Sequence, residues 1–172
     1  NTQTGAWCKF TGQNAACWSL FNGDLYFGAQ TGGVVFKADT NSSDNDGDIN
    51  WKIRPAFSYY GSRGNKKLFT MCRPNITTNT VLEYAVDLNL NFSDINPTTV
   101  PTPLELTVAV WDQSKWDSAN WSDKAVTQAW VTVFGMGECA SPTIRGSTNS
   151  PNESVVLSFT AYDMIWQQGG SL

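Results

Sequence analysis

The chain of 172 residues contains no histidine. That absence removes the commonest general acid–base side chain, every Ser-His-Asp or Cys-His arrangement, and most catalytic zinc sites. Nowhere do the roughly 18 consecutive apolar residues of a membrane helix occur, so nothing reads as a membrane span. Charged residues are scarce at 15%, with 11 Lys plus Arg against 15 Asp plus Glu. A net charge of −4 is a poor basis for gripping nucleic acid, which needs clustered positive charge. Cys8, Cys17, Cys72 and Cys139 form no CxxC pair and fit neither a metal-ligand spacing nor a dense disulfide framework. They read as small buried thiols of a protein made in a reducing compartment. Asn1 opens the sequence with no basic-plus-apolar signal segment behind it, which reads as a processed chain or a fragment.

Aromatic residues, by contrast, are abundant: 8 Trp, 9 Phe and 5 Tyr, too much apolar surface for a disordered chain. Their arrangement sets the fold class. Leu82, Tyr84, Val86, Leu88, Leu90 and Phe92 alternate with Glu83, Ala85, Asp87, Asn89 and Asn91. That period of two predicts a strand with one buried face, ending in Phe92. Leu104, Leu106, Val108 and Val110 repeat the pattern, and residues 125–134 and 154–166 have strand composition. No segment carries a helical stripe.

The first third is built differently. Trp18 to Phe21, then Asn22-Gly23, then Asp24 to Gly28 reads as a hairpin, because Asn-Gly suits a type I′ turn. A short strand at Val34 to Lys37 follows Gly32-Gly33. Short strands on tight glycine turns resemble a propeller blade, which cannot bury its own faces. The expectation is an all-β chain. Blade-like β-hairpins occupy residues 1–48, a possible propeller remnant, and an antiparallel β-sandwich occupies residues 49–172.

Several residue groups carry candidate chemistry. Ser42, Asp44, Asp46 and Gly47 imitate the start of a calcium loop, but Ile53 stands where the closing bidentate Glu is required. A solvated acidic turn explains them equally well. Glu105, Asp112, Asp117, Asp123 and Glu138 are acids of the type glycosidases use, yet no pair is marked out by its surroundings. Trp111, Trp116 and Trp121 recur every fifth residue, which fits neither strand nor helix. They read either as an aromatic platform for sugar rings or partner side chains, or as indoles folded back over a β-core. Tyr59, Tyr60 and Arg63 begin the most basic patch, completed by Lys66 and Lys67. Its cations suit phosphate or an acidic partner, and equally suit protection of a strand edge.

Some phrases resemble a known family. Residues 6–10 with 14–17, residues 22–28 leading to 34–39, residues 59–64, the Trp-Asp repeat at 111–123, and Gly169-Gly-Ser-Leu172 carry the likeness. They resemble C-terminal regions of tail nozzle, tail-hub or packaged-DNA stabilisation proteins of short-tailed bacteriophages. The resemblance implies a non-catalytic virion protein assembled in the bacterial cytoplasm, with a propeller-like domain upstream. It implies a homo-oligomeric ring contacting other virion tail proteins and passing DNA transiently without binding it specifically. No cofactor, metal or catalytic residue is implied. The alternative is a carbohydrate- or receptor-binding β-sandwich module using Trp111, Trp116, Trp121, Tyr59, Tyr60 and Arg63, with a glycan as partner.

Overall fold

The computed structural model describes residues 5, 7–45, 47–80, 82–94, 102–103, 125–127, 129–148 and 155–169. Among them the strand is the only extended regular element, and every strand pairing is antiparallel. Among the described residues no helix is long and apolar enough to cross a membrane. The chain divides into two compact units, Asn1–Thr40 and Asn41–Leu172.

The first unit holds β1 (Ala15–Phe21), β2 (Asp24–Ala29) and β3 (Val35–Lys37), in that spatial order. Asn22 and Gly23 join β1 to β2 with φ of 51° and 88°, the two left-handed positions a type I′ turn demands. The register aligns Trp18 with Phe27 and Phe27 with Phe36. Their rings follow one another across the sheet at 5.0 and 5.3 Å, and Leu20 and Leu25 pair on the same face. The opposite face carries Ser19, Tyr26 and an ion pair of Lys37 with Asp24 at 2.6 Å. No described residue of this unit is buried.

The second unit contains two sheets. One runs β4 (Ile49–Ile53), β10 (Ala140–Thr148), β6 (Glu83–Leu90), β7 (Thr102–Pro103). The other runs β11 (Leu157–Gln168), β5 (Lys67–Thr78), β8 (Ala125–Thr127), with β9 (Val131–Gly137) also on β5. Cys72 and Ile76 of β5 and Val133 of β9 pack with Tyr84 and Val86 of β6 and Ile144 of β10. The two sheets therefore share one hydrophobic core, which Leu82 completes. A proline interior to a strand normally breaks a ladder. Pro74 is tolerated because β9 pairs with β5 only up to Cys72 and β8 only from Ile76, so no described strand pairs with that edge between them. Pro142 pairs with Leu88 of β6 on one side, and on the other the pairing with β4 begins only at Ile144.

Two expectations are corrected. The alternation over residues 82–92 is realised in β6, where Tyr84 and Val86 enter the core, but the strand stops at Leu90. Phe92 is not on the buried face: it lies in a turn and is 63% exposed. The odd face is not simply solvated either. Ala85 and Asn89 are buried, and Asn89 Nδ2 donates to Thr143 Oγ1 at 2.5 Å. The cysteines are not all buried thiols. Cys72 and Cys139 are buried and Cys8 and Cys17 exposed, and all four are free. The strand expected at 104–110 lies outside the described residues.

Candidate functional site

The basic patch that begins at Tyr59 becomes a loop between β4 and β5, and the chain fixes it in stages. Ser58 exchanges two backbone hydrogen bonds with Ala140, both 3.0 Å, and Ser141 Oγ donates to the Pro55 carbonyl at 2.6 Å. These bonds hold the loop's start against β10. Tyr60 and Gly61 then take φ of 47° and 90°, and Ser62 N donates to the Tyr59 carbonyl at 3.3 Å. The chain reverses there in a tight turn with two left-handed residues.

Lys67 closes the loop. Its side chain is fully buried, and Nζ donates to the carbonyls of Ser62 at 2.5 Å, Asn65 at 3.0 Å and Glu138 at 3.1 Å. All three ammonium donors are satisfied, as a buried cation requires. The Trp166 ring lies 6.0 Å from Nζ. Lys67 is thus an internal clamp rather than a surface cation, which corrects its place in the basic patch.

A second turn approaches from β6. Asn91 and Phe92 have φ of 50° and 61°, and Ser93 N donates to the Leu90 carbonyl at 2.8 Å. Asn tolerates the left-handed region. A bulky Phe does not, at a cost of about 1–2 kcal/mol. Asn91 holds the turn in place: its N donates to the Cys139 carbonyl at 3.1 Å, and its Oδ1 accepts from Glu138 N at 2.8 Å. The Glu138 peptide is thereby gripped on both sides, by Asn91 at its N–H and by Lys67 at its carbonyl.

These anchors assemble a row of side chains. The Arg63 guanidinium sits 4.8 Å above the Tyr59 ring. Tyr59 meets Phe92 edge-on at 6.2 Å, and Phe92 meets Phe57 at 4.8 Å. Beyond them Arg54 Nη1 pairs with Asp94 Oδ1 at 2.5 Å. Rings and guanidinium groups held this firmly offer stacking and cation–π contact at low entropic cost.

Tyr60 faces the other way. It packs on Phe69 at 5.3 Å and donates its hydroxyl to Tyr162 Oη at 3.3 Å. Burial, with the Tyr162 bond second, pushes its pKa well above the ordinary tyrosine value. Of the expected site residues, Tyr59 and Arg63 therefore share a surface and Tyr60 supports it from within. Trp111, Trp116 and Trp121 lie outside the described residues, as do Glu105, Asp112, Asp117 and Asp123. Glu138 is exposed, and its backbone is the part the structure uses. The acidic stretch near Asp44 folds as a tight turn, with Asp44 and Gly47 exchanging bonds of 2.9 and 2.8 Å. Among the described residues no group of three or more His, Cys, Asp or Glu is placed to hold a metal.

The sequence did not mark Phe57, Phe92 or Asn91 as site residues, and it placed Phe92 and Asn91 only in the alternating run. Their one local signal is Asn91-Phe-Ser-Asp94 directly after an alternating run, a turn-forming composition. The described residues form an antiparallel all-β protein in which exposed Phe92 and Arg63 and the half-buried Tyr59 and Phe57 make an aromatic and guanidinium surface. Compared with protein-family models, curated proteins and solved structures, it matches none.

Proposed function

We propose that this chain is a non-catalytic structural subunit of a bacteriophage tail, of the nozzle or hub type, that assembles into a ring through which DNA passes. In this reading the first unit is a propeller blade and the second a β-sandwich. The observation that carries it is the face of β1–β3. Trp18, Leu20, Leu25, Phe27 and Phe36 line one side of a three-stranded sheet in which no described residue is buried. A sheet with one apolar face needs that face covered by another element. Blades of a propeller cover one another in this way, each face against the next. The net charge of −4 agrees with a conduit, since a wall that neutralised many phosphates would hold DNA instead of releasing it.

Sedimentation velocity over a wide concentration range, followed by electron microscopy of the largest species, tests the proposal. Closed rings with a channel open to a DNA duplex are expected. A chain that stays monomeric throughout overturns it.

One observation favours the second reading, a glycan- or receptor-binding module. The row Arg63, Tyr59, Phe92 and Phe57 combines ring faces with a guanidinium, as sugar and partner sites do. Saturable binding on a glycan array, lost on replacing Tyr59 by Ala, would establish that reading in place of the first.

A further inference from the structure

We infer that the Phe92 turn and the basic loop beside it form one half of a head-to-tail contact between copies of this chain, the other half being the acidic turn around Asp44 and Asp48. The inference rests on the assembly reading and names the surface that carries it.

Three observations converge on the first half. Phe92 is 63% exposed although it is a large apolar side chain, and its φ of 61° is one that bulky residues avoid. Such strain persists where surrounding structure imposes it, and it gathers at sites of function. Here the Asn91 bonds to Glu138 and Cys139 impose it. The result is a rigid aromatic knob, set before any partner arrives, which lowers the ordering cost of binding. Second, the knob is flanked by the residue types that dominate interface energetics, Tyr59 and Arg63. Third, Arg63 and Lys66 are exposed, and among the described residues neither has a carboxylate partner.

Charge selects the occupant. The chain is net acidic, yet the loop of residues 59–67 contains no acid and exposes Arg63 and Lys66, while Lys67 is buried. Pairing this surface with itself about a two-fold axis would press one patch carrying exposed Arg63 and Lys66 against an identical one, and the excess of like charge is repulsive. A complementary surface must be acidic. The same unit supplies one, because Asp44 and Asp48 are both exposed at the turn before β4. Contact between two different patches of identical chains is heterologous, and heterologous contacts close into rings or run on as filaments.

The test is sedimentation velocity of the full chain and three variants. Phe92→Gly creates the same Asn-Gly pair that turns the chain at residues 22–23, so it keeps the turn while removing the knob. Arg63→Glu with Lys66→Glu reverses the basic half, and Asp44→Lys with Asp48→Lys reverses the acidic half. Wild-type association is expected to weaken with added salt, and each variant alone to associate at least about tenfold more weakly, or roughly 1.4 kcal/mol. Mixing the two charge-reversed variants in equal amounts restores association. Thermal melts confirm folding, and if Phe92→Gly does not fold, the charge-reversed pair still decides.

If wild type associates and the variants do so equally well, this interface is wrong while the assembly reading stands. If the variants fail and their mixture is not restored, the acidic turn is not the counterpart and the inference falls. If wild type never associates, both fall.

Discussion

Trp51 lies across Gly146 so closely that a Cβ on the glycine would stand 2.4 Å from indole Cζ2. The same atom would be 2.3 Å from the Glu83 carbonyl oxygen on the other flank. Gly146 pairs with Trp51 of β4 and with Tyr84 of β6, so its missing side chain makes room for both neighbours at the centre of the sheet. Gly146→Ala is therefore expected to destabilise the second unit by about 3 kcal/mol, the upper end for an overpacked core. A chemical denaturation midpoint measures it, and a wild-type midpoint would mean Trp51 moves aside freely.

Tyr84 Oη is buried and has no hydrogen-bond partner among the described residues. An orphaned buried hydroxyl carries its desolvation penalty of about 1–3 kcal/mol without compensation. Tyr84→Phe removes the hydroxyl and keeps the ring in the core. The variant should be as stable as wild type or more so by about 1 kcal/mol. A clear loss of stability would show that the hydroxyl is satisfied in solution.

Lys67 has the opposite balance, since three carbonyls meet one ammonium. Lys67→Met keeps most of the stem and leaves those oxygens without their donor. The expected loss is about 3 kcal/mol, in the range for breaking a buried charged network. Amide exchange should accelerate across residues 59–66, where the clamp holds the loop, more than in β6. Uniform acceleration over the whole unit would argue that Lys67 stabilises the core and not the loop.

Alkaline pH should weaken the fold before it titrates the buried Cys72 of the native protein. Burial pushes the Cys72 thiol from its ordinary 9.0 up to about 12, and burial also raises Tyr60 and Tyr84. Between pH 9 and about 12 the unfolded thiol has lost its proton and the native one keeps it. The unfolded state then binds fewer protons, so stability falls as pH rises, by up to about 1.4 kcal/mol per pH unit for each such group. The contribution is fully present below pH 9 and gone above about 12. Urea midpoints across this window should decline, and Cys72→Ala should decline less steeply.

Thiol chemistry should separate the cysteines by unit. Cys8 and Cys17 are exposed in the first unit, while Cys72 and Cys139 are buried in the second. A thiol reagent at neutral pH is expected to modify the first two at once and the others only on unfolding. Rapid reaction of Cys72 would show that the core opens locally.

The strands and their tightest turn were legible because their causes are local. Asn22-Gly23 needs only its own backbone to prefer left-handed φ, and the hairpin of β1 and β2 forms around it. The alternation in β6 likewise follows from successive side chains pointing to opposite faces. Where that strand would stop was not legible. Phe92 has the parity of a core residue, and it becomes a surface knob because Asn91 bonds to Glu138, 47 positions away. Lys67 reads as a surface cation until three carbonyls, one of them 71 positions distant, converge on it. Cys17 and Cys72 are chemically alike, yet Cys72 is buried in the core that two sheets share and Cys17 is exposed.

Histidine's absence, the acidic balance and the alternating aromatic pattern were settled by the sequence alone, and with them the exclusion of histidine chemistry and the all-β class. These depend on composition and on the pleat, which every strand carries within itself. Which alternate face is covered, which turn is anchored and which cation is buried were decided only by the tertiary structure. Each depends on partners brought from distant positions, and no local pattern records their arrival.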